Sequence, residues 1–269
     1  MWHVSHVNTS NSHSEYTTME MNEWWPWYER IAKAFGYSRE KDQEATELLS
    51  QLLMDRSSLI TEFSEVLNDR KVIVFGAGPS LETDLGKVVD LNLLCHYKTV
   101  AADGATSALL SIAKTIPDII VSDLDGPLPD LVAAVTKGSK IVIHAHGDNM
   151  ELLRSSVSSF GNALGSTQVS PSRNVYNFGG FTDGDRAVFL AKAMRASSVV
   201  LAGMDFGKKI GKYSKLRVQH PEVKLRKLQF GKSLLEWLAE PGGSQYYNIT
   251  NAGERIVGFT QIEPKQLIS

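Results

Sequence analysis

The ten residues KVIVFGAGPS, Lys71 to Ser80, decide how this chain is read. Four apolar residues in a row run straight into Gly76, Ala77 and Gly78. A strand with one wet face would alternate apolar and polar residues, so this one is expected to be covered on both faces. The rhythm returns five times: KTVAADGA from Lys98, DIIVSDLDG from Asp118, KIVIHAHGDN from Lys140, NVYNFGG from Asn174 and SVVLAGMDFG from Ser198. Between these runs lie helical patterns at 105–116, 128–138, 149–161 and 184–196. Strands alternating with helices predict an α/β fold, a doubly wound, mostly parallel Rossmann-like sheet over residues 71–269. The tail segments SQYYNIT and GFTQI are expected to add a strand or two at an edge.

Upstream the character changes. Residues 1–20 are polar, rich in Ser, Thr, Asn and His, and read as a flexible leader. Residues 21–70 read as an N-terminal helical segment. Its start packs Trp24, Trp25, Trp27, Tyr28, Phe35 and Tyr37 together, the density of a helical cap glued to a core. Leu48, Leu49, Leu52 and Leu53, then Leu59, Ile60 and Phe63, follow at amphipathic spacing.

Composition sets bounds. The 269 residues are 42% hydrophobic and 22% charged, with a formal net charge of -2, which argues against a general nucleic-acid binder. The single cysteine, Cys95, excludes an intrachain disulfide and a cysteine metal site. No apolar run approaches the roughly 20 residues of a membrane span, and no signal peptide is visible. A soluble cytoplasmic protein is expected, with a homodimer possible.

The strand ends carry the chemistry. In open parallel sheets, ligands bind outside the carboxyl ends of the strands. Here those ends supply Gly76, Gly78, Asp103, Asp123, Asp125, His144, His146, Asp148, Thr182, Asp183, Asp185 and Asp205. One aspartate is ordinarily a helix cap or a turn residue. So many on one rim repel one another and call for a hard divalent cation, Mg²⁺ above all. The same rim is rich in glycine, and glycines ahead of a helix let backbone N–H groups approach phosphate. The run from Gly76 lacks the third glycine of a dinucleotide fingerprint, and no Walker A lysine is present, so neither NAD nor a P-loop is favoured. Phosphate-binding cations are expected instead from the block Lys208 to Lys232, whose nine Lys and Arg face Glu222 alone. That block, 208–232, reads as a basic flap over a polyphosphate.

In order and spacing, GAGPSL, AADGA, PDIIVSDLDG, HAHGDN, FGGFTDGDRA and LAGMDFG resemble the archaeal 6-hydroxymethyl-7,8-dihydropterin pyrophosphokinases, which share a domain with thiamin pyrophosphokinase. The resemblance spans residues 71 to about 232. It implies transfer of a diphosphate from ATP to the hydroxymethyl group of the pterin, with Mg²⁺ and release of AMP. It makes Asp123 and Asp125 the metal-binding aspartates and Thr182 with Asp183 the Thr-Asp pair.

On that reading Asp123, Asp125 and Asp183 are catalytic. Gly76, Gly78, Ser80, Asp103, Thr182, Lys215, Arg217 and Lys227 hold ATP. His146, Asp148, Asn149 and Asp205 face the pterin alcohol. Asp148 or Asp183 is the candidate to ligate a second ion or accept the hydroxyl proton. Asp205 or Asp103 is the candidate to read the amidine-like edge of the ring. Two other classes stay open: a glycosyltransferase using a nucleotide sugar, and a nucleotide-binding regulator without turnover.

Overall fold

The structure is a computed structural model that describes residues 3–4, 17–54, 59–161, 163–214, 220–240, 245–250 and 252–268. Two short strands, β1 (His3–Val4) and β2 (Thr17–Thr18), pair antiparallel. The helices α1 (Met21–Phe35), α2 (Arg39–Leu52) and α3 (Ile60–Leu67) follow. The sheet is then built from β3 (Lys71–Phe75), β4 (Lys98–Ala102), β5 (Ile119–Ser122), β6 (Lys140–Ala145), β7 (Ala163–Thr167), β8 (Val175–Tyr176), β9 (Ser198–Ala202), β10 (Gln245–Asn248) and β11 (Thr260–Gln261). Its order is β11-β10-β9-β3-β4-β5-β6-β7-β8, and every pairing is parallel.

Helices cover both faces, as the unbroken apolar runs require. Val72 and Val74 of β3, with Val100, Val121 and Leu201, pack against α1, α3, α8 (Asp183–Ala193) and α9 (Pro221–Ala239). The alternate residues point the other way. Ile73, Phe75 and Ala101 meet α4 (Leu81–Asp90) and α5 (Ala105–Ala108), which continues into a π turn at Leu109–Ala113. Ile120, Ile141 and Ile143 meet α2, α6 (Leu128–Thr136) and α7 (Met150–Ser156). The tail segments join the sheet edge as β10 and β11, as expected.

Three features differ from the sequence reading. The strand β7, ALGST, carries no Val or Ile and little β propensity. It is held between β6 and β8, with all five residues buried, so tertiary pairing outweighs local preference. Secondly, the end of the leader is docked: Met19 is buried and its N–H donates to the Asn177 carbonyl. Thirdly, residues 221–232 of the basic block are the first part of helix α9, whose Leu234, Leu235 and Leu238 lie in the core. Lys215 and Arg217 lie outside the described residues.

Candidate active site

The chain leaves β3 toward β4, yet returns through β9 on the opposite side of β3. The crevice outside the carboxyl ends of these two strands is the topological switch point. A cleft of about 290 Å³ opens there and runs along the rim as far as Gln168, just past β7. At the switch point the chain is packed to backbone distance. A Cβ on Gly78 would sit 2.5 Å from the Gly203 carbonyl, so only glycine fits. Gly203 itself has φ +66. Asp205 is buried beside these glycines and accepts from the Ser80 N–H at 3.2 Å and its hydroxyl at 3.0 Å. Burial still pushes its carboxyl up.

Four acids occupy the middle of the cleft. Asp103 follows β4 with φ 38, and Asp123 and Asp125 follow β5 on either side of Leu124, φ 68. Positive φ at a residue other than glycine costs energy and clusters at functional sites. The turns are braced from beneath. The Ser122 hydroxyl donates to Asp103 Oδ1 at 2.6 Å and accepts the Leu124 N–H at 2.9 Å. Asp103 is pushed up to about 7, first by burial and then by the Asp123 charge. Asp183, the first residue of α8, is raised well above the usual range by loss of water and again by Asp123.

The second acid of the α8 turn is used differently. Thr182 caps the helix, and Asp185 closes a reciprocal capping box with it. The buried Asp185 carboxylate takes the N–H groups of Phe181 and Thr182 and the Thr182 hydroxyl. One turn on, Arg186 lies 3.3 Å from Asp183. Its side chain is only 8% exposed, and its Nε has no partner among the described residues.

Farther along, the β6 turn brings His146 Nε2 to 3.4 Å from Asp123 Oδ2. Asn149 is buried, and its amide is spent on the frame. It donates to the carbonyls of Asp123 (2.9 Å) and His144 (2.7 Å) and accepts the His146 N–H (3.0 Å). It therefore ties the β5 turn to the β6 turn. His144 is a buried strand residue paired with Ser166, and burial pushes its imidazole well below the usual range.

Of the residues singled out from sequence, Gly76, Gly78, Asp103, Asp123, Asp125, His146, Asp148, Asn149, Thr182, Asp183, Asp205 and Lys227 all line this one cleft. Ser80 stands behind it, holding Asp205 and donating to Asp84 as well. Lys227, on α9, lies within 6 Å of the rings of Phe35, Tyr37 and Phe181.

A family model described as "6-hydroxymethylpterin diphosphokinase MptE-like" matches residues 46–211. The chain belongs to this family. Three archaeal proteins named 6-hydroxymethyl-7,8-dihydropterin pyrophosphokinase are similar to it. The Pyrococcus furiosus protein is 49% identical over 83% of this chain and 96% of its own length. The Methanocaldococcus jannaschii protein is 40% identical over 82% and 97%. The Methanothermobacter thermautotrophicus protein is 42% identical over 83% and 97%. Among solved structures, the MAf glycosyltransferase from Magnetospirillum magneticum AMB-1 superposes with a TM-score of 0.51 at 13% identity. It covers 74% of this chain and 34% of that one, a likeness of fold alone.

The donor set of this MptE-like cleft suits a hard cation. Among the described residues no three of His, Cys, Asp and Glu are grouped to cage a metal. Two neighbouring carboxylates on the cleft wall instead suit Mg²⁺, which keeps its waters and binds through one or two protein oxygens. The upward push that the Asp123 and Asp125 charges exert on Asp103 and Asp183 is the repulsion that such an ion relieves. Lys209 and Lys224 of the basic block also line the cleft, and so do Tyr37, Gln168 and Arg186, which sequence reasoning did not place there. Arg186 stands in the FTDGDRA motif, so a signal existed for it. Nothing local marked Tyr37 or Gln168.

Proposed function

We propose that this chain transfers a diphosphate from ATP to the hydroxymethyl group of 6-hydroxymethyl-7,8-dihydropterin, giving AMP and the pterin diphosphate. The observation that carries the reading is the row of acids Asp103, Asp123, Asp125 and Asp183. It is set between a glycine-lined switch point and the basic start of α9. It occurs in a chain 40–49% identical to archaeal pyrophosphokinases of that name.

The acceptor oxygen forms a bond to the β-phosphorus of ATP. The bond from that phosphorus to the oxygen bridging the α-phosphate breaks, and AMP leaves with the bridging oxygen. Such a transfer asks the protein chiefly for alignment and charge neutralisation. Gly76 and Gly78 add no side chain to their end of the cleft, which gives the nucleotide phosphates room there. Asp123 and Asp125 would hold Mg²⁺, which neutralises phosphate charge when bound. Asp183, which lines the cleft 3.3 Å from Arg186, is the candidate to accept the hydroxyl proton. Lys209, Lys224 and Lys227 add positive charge along the wall.

The test is incubation with ATP, Mg²⁺ and a panel of hydroxymethyl acceptors. AMP formed one for one with the pterin diphosphate is expected. ADP as the product, or consumption of a nucleotide sugar with ATP ignored, would overturn the reading.

A further inference from the structure

The cleft changes character along its length. Six strand ends border it, in the order β9, β3, β4, β5, β6 and β7. At ~4.8 Å per strand the row spans about 24 Å. The β9/β3 end is glycine with Asp205 and Phe206, the β4/β5 middle is carboxylate, and the β6/β7 end is aromatic and amide, with Lys227 5.5 Å from the Tyr37 ring. Tyr37 and Phe181 line that last part, their ring centroids 6.2 Å apart, together with Gln168. Every hydrogen-bonding group of a triphosphate is an anion or an acceptor, which suits N–H groups and lysines. A flat, fused, amide-bearing ring suits aromatic faces and a neutral amide.

We propose that the ring of the acceptor alcohol is held at the β6/β7 end, in a subsite built by the N-terminal helical segment. Tyr37 and Phe181 form its aromatic wall, Gln168 its hydrogen-bonding group, and Asp42 positions them from behind. The proposal rests on the diphosphate-transfer reading and assigns the ends of that cleft. A ring lodged there directs its hydroxymethyl group toward the acids, because His146 at this end already lies 3.4 Å from Asp123.

The second, independent observation is Asp42. This carboxylate of α2 is 2% exposed and does not line the cleft. It gathers three donors from three separate elements. Oδ1 accepts the Gly147 N–H of the β6 turn at 2.8 Å. Oδ2 accepts the Tyr28 hydroxyl of α1 and Nε2 of Gln168 beyond β7, both at 2.8 Å. The Gln168 carbonyl in turn accepts the Trp24 indole N–H at 2.7 Å. A buried carboxylate is costly unless its lone pairs are filled. Here they are filled by the groups that set where the β6 turn and Gln168 stand. Asp42 is thus a positioning residue, and α1 and α2 shape a substrate site as well as covering the core.

The test is steady-state kinetics with ATP, Mg²⁺ and 6-hydroxymethyl-7,8-dihydropterin for the full chain and for Tyr37→Leu, Gln168→Leu and Asp42→Asn. Each is expected to raise the KM for the acceptor by about tenfold, the loss expected of one ring contact or buried hydrogen bond. The KM for ATP and the affinity for a non-hydrolysable ATP analogue should stay within about twofold. Should Asp42→Asn fail to fold, the Tyr37 and Gln168 variants decide alone. A rise in the KM for ATP instead, or no change in either KM, overturns the assignment while leaving the reaction standing. Absence of AMP from the unaltered chain overturns the reaction itself, and the subsite with it.

Discussion

Two turns of this protein carry the same short pattern, an aspartate on either side of one residue, and use it in opposite ways. In Asp123-Leu124-Asp125 both acids line the cleft, and their turn is braced by other groups, Ser122 below and the Asn149 amide at the side. In Asp183-Gly184-Asp185 the first acid lines the cleft and the second is buried as the closing member of a capping box. The difference lies in the donors within reach. Asp185 has two backbone N–H groups and a hydroxyl, so its charge is matched by the fold. In the β5 turn Asp123 accepts the Asp125 N–H at 3.2 Å and stands 3.4 Å from His146 Nε2, yet both carboxylates still border the cleft. Spacing in sequence therefore does not distinguish an acid of the cleft from a capping acid; the depth at which each carboxylate sits does.

The largest effect expected is on turnover through the first turn. Asp123→Asn and Asp125→Asn should each lower kcat/KM by about 10²–10³-fold at saturating Mg²⁺. The melting temperature of the empty protein should hold or rise, because one repelling charge is gone. Near-normal activity in both variants would erase the contrast between the turns.

The second turn should split in two. Asp185→Ala leaves the N–H groups of Phe181 and Thr182 without their acceptor and is expected to cost about 2–3 kcal/mol by denaturant titration. Asp183→Asn should keep most of the stability and lose activity. If the stability loss falls on Asp183 instead, the two acids have exchanged roles.

A smaller effect follows from Asp103. Its folded carboxyl titrates at about 7, against about 3.9 unfolded. Between these values the folded protein holds a proton that the unfolded chain has released. Stability of the empty protein should therefore fall as pH rises from about 4 through 7. Asp103→Asn should flatten that slope in melting curves taken across the window. A slope unchanged by the substitution would remove Asp103 from the acid group.

The strands with unbroken Val and Ile runs and their glycine ends were legible, because burial on both faces leaves a mark in each residue. The strand Ala163–Thr167 was not, since its small and polar residues are strands only by virtue of their neighbours. The acids at the strand ends were legible as a set. What each does was not, because it depends on partners far away in sequence: Asn149 for Asp123, and Asp42 for Gln168. The left-handed backbone at Asp103 and Leu124 has no glycine to announce it. Tyr37 looked like one more ring in an aromatic cap, and only the meeting of α1, α2 and the rim brings it to the cleft.

We assign the acids of the β5 turn to a cation and the nucleotide, and Asp185 of the α8 turn to the fold. Calorimetric titration of a non-hydrolysable ATP analogue, with and without Mg²⁺, tests it in the unaltered chain, in Asp125→Asn and in Asp185→Asn. Binding that needs Mg²⁺ in the unaltered chain, survives in folded Asp185→Asn and is lost in Asp125→Asn is the expected result. Equal, Mg²⁺-independent binding in all three would contradict it.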